Sequence, residues 1–100
     1  MSSTLLQTDG AIVPVTPTNG KFFTLEEQQE LVGGNIQHIY LQENGSWTVL
    51  VINEEGKFEG LPANSRATRI ARKAGIADAD FIVGDMLVCT DKEADGDPNG

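Results

Sequence analysis

The sequence predicts a single α+β domain, a compact antiparallel sheet with two short helices. Three observations point there. One hundred residues suffice for one modest hydrophobic core and not for two. Asn44-Gly45, the preferred pair for a tight hairpin turn, separates the alternating segment Ile36 to Leu41 from the β-rich run Trp47 to Ile52. Two stretches of helical spacing, each opened by capping residues and closed by glycine, lie on either side of that hairpin. The resulting order over residues 11 to 90 is strand, helix, strand, strand, helix, strand. It matches the split βαβ, ferredoxin-like (βαββαβ) arrangement, with both helices on one face of the sheet.

Met1 to Gly10 is polar and aperiodic, which predicts a flexible N-terminal arm. Ala11 to Val15 is a short apolar run, and Pro14 restricts it to a sheet edge because proline donates no ladder hydrogen bond. Thr24-Leu25-Glu26-Glu27 has the form of a capping box, with Phe23 placed to pack on the first turn, so a helix should run to about Val32 and stop at Gly33-Gly34. In the hairpin, Val49 and Val51 should face away from Leu50 and Ile52. Glu54-Glu55-Gly56 turns the chain, and Pro62, Asn64 and Ser65 introduce a second helix over residues 65 to 74 that Gly75 ends. Phe81 to Cys89 reads as a last strand bent at Gly84. Residues 91 to 100 are acidic and contain glycine and proline, which predicts a disordered tail dispensable for folding.

Charge narrows the function. Fifteen Asp and Glu against seven Lys and Arg give a formal net charge of −8, a surface that repels nucleic acid and anionic membranes. The single cysteine, Cys89, excludes an intrachain disulfide and a cysteine-cluster metal site and fits a reducing cytoplasm. Neither a signal peptide nor a membrane-spanning run is expected.

Against that acidic background, Arg66, Arg69, Arg72 and Lys73 fall on the outer side of the second predicted helix, opposite Ala67, Ile70, Ala71 and Ala74. Asn64 and Ser65 at its start would add unpaired backbone N–H groups to the positive field. The candidate ligand-binding set is therefore Asn64, Ser65, Arg66, Arg69, Arg72 and Lys73. The plainer reading of the same residues is a capped helix with a solvated basic face. There is no glycine-rich phosphate loop. His38, the only histidine, has no nucleophile or orienting carboxylate fixed beside it in sequence, so it reads as structural. Cys89 lies among acids that would not activate it. Asp91 to Gly96 imitates the opening of a calcium loop but lacks the closing carboxylate. Most aromatics are expected in the core rather than on a base-stacking platform.

Three blocks, PTNGKFFTLEEQQELVGG (Pro17 to Gly34), VINEEGKFEGLPANSRAT (Val51 to Thr68) and IVGDMLV (Ile82 to Val88), resemble domain-of-unknown-function family 3846. The resemblance covers roughly residues 12 to 89, outside both tails. It implies a small cytoplasmic protein of bacterial viruses or mobile elements and carries over no catalytic residue. With no cofactor motif and no metal-ligand cluster, the expected function is non-enzymatic binding of a host protein through the acidic surface. The alternative is counter-defence, with an oligomer sequestering an anionic nucleotide signal on the basic helix.

Overall fold

The computed structural model describes residues 3 to 95. Its strongest local instruction is the hairpin. Strands β3 (Ile36–Glu43) and β4 (Ser46–Asn53), numbered here by their place in the chain, pair antiparallel from Ile36 opposite Asn53 to Glu43 opposite Ser46. Asn44 (φ 51°) and Gly45 (φ 80°) supply the two left-handed residues that a two-residue turn of matching twist requires. Val49 and Val51 then face one side of the sheet and Leu50 the other, and all three are fully buried. A strand apolar on both faces must be covered on both.

Two covers are what the remaining chain provides. Helix α1 (Leu25–Val32) and the short α3 (Asp91–Asp95) lie on the Val49 side, where Phe23, Val32 and Ala94 pack with Leu5, Leu87 and Cys89. Helix α2 (Ser65–Lys73) lies on the opposite side and sets Ala67 and Ala71 against Leu6, Leu50 and Met86. The expectation of both helices on one face is thus corrected, because the uninterrupted apolar run of β4 demands a partner for each face.

The sheet has five strands in the order β2 (Ile12–Val15), β1 (Ser3–Leu6), β5 (Met86–Thr90), β4, β3, and every neighbouring pair is antiparallel. A ferredoxin-like sheet would seat β2 in its interior, between β4 and β5, and keep both helices on one face; here β2 is an edge strand bonded to β1, and β5 lies directly against β4, so the α+β class holds and the ferredoxin-like topology does not. The difference originates in residues 3 to 6, expected as part of a flexible arm. They form β1, which bonds β2 on one side and β5 on the other, with Leu5 and Leu6 buried on opposite faces. Pairing along both edges satisfies a backbone whose composition alone offered little reason to order.

The predicted disordered tail is corrected in the same way over residues 91 to 95; residues 96 to 100 lie outside the described residues. Helix α3 opens with a reciprocal cap in which Thr90 Oγ1 accepts from the Glu93 N–H (3.1 Å) and Glu93 Oε1 accepts from the Thr90 N–H (3.2 Å). Glu93 also takes the Ser3 hydroxyl (2.7 Å), and its backbone carbonyl takes the Phe23 N–H (2.7 Å). The side chain of Gln28 donates to Ala94 O at 2.8 Å. The acidic segment is therefore bonded to both β1 and α1.

Helix α1 follows the sequence reading closely. Its capping box joins Thr24 and Glu27 in both directions, and Gly33 (φ 83°) ends it in the left-handed region. Hydrogen bonds from the Thr18 hydroxyl and from the Thr24 and Thr18 N–H groups hold the Glu27 carboxyl down at about 2.

Two stability predictions follow from this architecture. Ending the chain at Thr90 should lower Tm by about 10 °C or more in thermal unfolding, since each buried bond left unmade costs about 1–3 kcal/mol and each kcal/mol shifts a domain of this size by about 4–8 °C. Replacing Ser3 with alanine should give a smaller loss in the same direction, because it removes a single bond to Glu93.

Candidate functional site

The amide of Asn64 decides what the start of α2 can do. It is 1% exposed, and its side chain is fully engaged. Nδ2 donates to Leu6 O and to Gly84 O, both at 2.9 Å, while Oδ1 accepts the Ala67 N–H at 3.1 Å. Thr68, one turn on, donates its hydroxyl to Asn64 O (2.8 Å) and accepts the Ile82 N–H (2.9 Å). The Asn64 N–H reaches Ile82 O and the Gly84 N–H reaches Pro62 O, both at 2.8 Å. Asn64 therefore joins β1, α2 and the approach to β5, and it has no donor left for a ligand.

The remaining members of the predicted site separate. Ser65, Arg66, Arg69 and Lys73 are exposed on α2. Arg72 is turned toward the loop that follows, where one guanidinium nitrogen donates to Asp78 O (3.1 Å) and Asp80 O (3.3 Å). It braces that loop. Among the described residues Arg66, Arg69 and Lys73 form no ion pair, so they make up the free part of the basic face.

Beyond the braced loop, on the α2 side of the sheet, lies a crevice of about 270 Å³ floored by Ile39 and Ile52 and walled by Ile76 and Phe81. Phe58 stands at its mouth and is 96% exposed. The turn carrying Phe58 is nonetheless firmly built. Asn53 Oδ1 accepts the Glu55 N–H (2.8 Å) and Asn53 Nδ2 donates to Glu59 (2.8 Å). Gly56 is buried so close to Val83 that a Cβ there would lie 2.8 Å from the valine methyl, and a Cβ on Gly84 would lie 2.8 Å from Leu61. Lys57 forms an ion pair with Asp80, and its ammonium lies 4.6 Å from the centre of the Phe81 ring. The hydrogen bond from Lys57 and then the Phe81 N–H keep the Asp80 carboxyl below its ordinary range.

The other side of the sheet carries a polar and aromatic row. Both amide hydrogens of Gln28 are taken by Phe23 O (3.0 Å) and Ala94 O (2.8 Å), so its Oε1 must accept, and the contact with His38 Nε2 at 2.7 Å makes that nitrogen the donor. His38 Nδ1 faces Asp95 at 3.4 Å, and Asp95 also accepts the Tyr40 hydroxyl at 3.0 Å. Burial first, and then the Asp95 hydrogen bond, raise the Tyr40 pKa. Tyr40 and Trp47 meet edge to face at 6.3 Å and remain partly exposed. Cys89 lies beneath them in the core, where burial, then the Glu93 and Asp95 charges, push its thiol up to about 12. A thiol so held supplies almost no thiolate near neutrality.

Sequence reasoning found the basic face and missed Phe58, Phe81, Tyr40 and Trp47, all exposed where most aromatics were expected inside. For Phe58 a signal was present: it sits in Glu54-Glu55-Gly56-Lys57-Phe58-Glu59-Gly60, between charges and glycines and without an apolar neighbour. Among the described residues no group of three His, Cys, Asp or Glu could hold a metal ion, and no helix is long and apolar enough to cross a membrane.

No curated protein and no solved structure matches this chain. The three sequence blocks singled out above are the ones that build the capping box of α1, the braced Phe58 turn with its Asn64 junction, and the Gly84 bend. They carry a family pattern that reaches past the boundaries drawn from them to include β1 and α3. Over residues 2–99 the chain matches the family described as Domain of unknown function (DUF3846), and it belongs to that family.

Proposed function

We propose that this protein acts by binding a partner protein, without catalysing a reaction, and that Phe58 and the crevice behind it form the docking surface. The carrying observation is a fully exposed aromatic ring on a rigidly braced turn. A ring held in solvent brings apolar area to a partner without ordering a flexible loop at the moment of binding, which is how interface anchors contribute most of their energy. The Phe81 ring and the apolar floor at Ile39 and Ile52 extend the contact surface behind it. The net charge of −8 adds long-range attraction for a basic partner. Support for a non-enzymatic role comes from His38, whose Nε2 is occupied by Gln28, and from the poorly ionised Cys89 thiol. In the phage or mobile-element setting that the sequence blocks imply, the partner is a host protein in the bacterial cytoplasm.

A second reading has its own observation. Arg66, Arg69 and Lys73 are exposed and, among the described residues, free of acidic partners, which suits a small anionic ligand such as a nucleotide signal in counter-defence.

Affinity capture from a bacterial lysate, compared between wild type and variants, separates the two. Phe58→Ser combined with Phe81→Ser should remove retained host proteins, a loss of about 2 kcal/mol or more in binding. The Phe58 change alone should leave stability within about 0.5 kcal/mol because its ring is exposed. Reversal of Arg66 and Arg69 to glutamate should leave the captured set intact. Saturable nucleotide binding by wild type at low salt that is lost on that reversal would instead favour the anion reading.

A further inference from the structure

The two edges of the sheet are built differently. Strand β2 is four residues long and contains Pro14, a residue that blunts edge pairing. Strand β3 forms the other edge, is eight residues long, and from Ile36 to Gln42 has no proline, no glycine and no Asp, Glu, Lys or Arg. In an acidic chain this is an uncharged strip, the opposite of the charged protection that exposed edges normally carry.

Its outward hydrogen-bonding pattern follows from the turn. In a hairpin with two loop residues, the flanking pair Glu43 and Ser46 exchanges hydrogen bonds, and so do Leu41, Ile39 and Gln37 with their partners on β4. The bond from the Glu54 N–H to Asn35 O continues the same alternation. Ile36, His38, Tyr40 and Gln42 consequently turn their N–H and C=O groups away from the sheet. Among the described residues those groups have no backbone partner.

We propose that β3 pairs antiparallel with β3 of a second copy of this chain, about a twofold axis at Ile39, joining two sheets into one. That register places His38 opposite the second copy's Tyr40 and Ile36 opposite the second copy's Gln42, so each outward N–H meets an outward C=O. The arrangement is self-complementary, as a twofold interface must be. It sets no like charges against each other along the strand, since Glu43 falls opposite the second copy's Asn35. The edge-to-face row of Trp47, Tyr40 and His38 gains an aromatic partner across the junction. On the α2 side, Ile39 meets Ile39 at a non-hydrogen-bonded position, where Cα atoms approach to about 4.5 Å. Ile39 also floors the Phe58 crevice, so pairing brings the two crevices side by side.

Sedimentation equilibrium on the full chain tests the pairing independently of any docking partner, so failure here leaves the docking reading standing. Wild type should sediment at twice its 10.7 kDa mass. Tyr40→Pro removes an outward donor and Ile39→Lys places two cations on the axis; each should raise the dimer dissociation constant at least about tenfold with the circular dichroism spectrum retained. Ile12→Lys on the other edge should change nothing. Ile39→Cys should form an intermolecular disulfide on mild oxidation, whereas Gln37→Cys, which falls opposite Leu41, should not; buried Cys89 does not compete. Should Tyr40→Pro fail to fold, Ile39→Lys and the cysteine pair decide. A wild-type chain that stays monomeric up to about 1 mM overturns the proposal. So does a dimer indifferent to Ile39→Lys, or cross-linking by Gln37→Cys as ready as by Ile39→Cys.

Discussion

The amide of Asn64 is the constraint on which the rest of the structure depends. A buried primary amide must satisfy its donors and its acceptor at once, and here the three partners come from β1, α2 and the bend before β5. No other side-chain type has two donors and an acceptor at this length. Aspartate would keep the helix cap but lose both bonds to carbonyls, and serine would not span the gap. With Thr68 closing the circuit through Ile82, the polar junction fixes the start of α2 against the sheet, and the small Ala67 and Ala71 then let the helix approach Leu50 and Met86 closely. Polarity sets the position, and apolar packing supplies the energy.

The same junction explains why a conspicuous positive cluster gives up part of its apparent meaning. Asn64 and Arg72, at opposite ends of α2, act within the fold: one anchors the helix start and the other holds the loop beyond its end. Among the described residues the charge that remains free is carried by Arg66, Arg69 and Lys73, while the loop that Arg72 braces bears Asp80 and Phe81 beside the Phe58 turn. Building a firm turn and then leaving its aromatic ring in water is a local conflict between foldability and solubility. Conflicts of that kind in an otherwise consistent sequence concentrate where a protein meets something else.

Features written in a few adjacent residues were legible from the sequence. Asn44-Gly45 forces its turn, Thr24 and Glu27 cap one another, and the alanine stripe of α2 faces inward as its spacing requires. Features that depend on distant partners were not. Ser3 to Leu6 shows only two apolar side chains, and its order comes from ladders on both sides. Thr90-Asp91-Lys92-Glu93 repeats the capping form of Thr24 to Glu27, but its acidity and the glycine and proline that follow concealed it. The helix it opens is too short to stand without Gln28 and Phe23. At the candidate site, charge could be read along the chain, whereas the commitment of Asn64 to Leu6 could not. Those residues are 58 positions apart.

The position of β5 has a consequence for how the protein comes into being. Before β5 is made, the chain holds two separate hairpins, β1 with β2 and β3 with β4, and nothing in the sheet joins them. Residues 86 to 90 enter between the two and bond both. Because synthesis proceeds from the N-terminus, Leu5, Val49 and Val51 stay without their central partner until nearly the whole domain has left the ribosome. Pairing β5 with β4 spans about forty residues and pairing it with β1 about eighty, long-range closures of the kind that slow folding. During that interval the nascent hairpins expose to water the apolar side chains that the finished sheet buries.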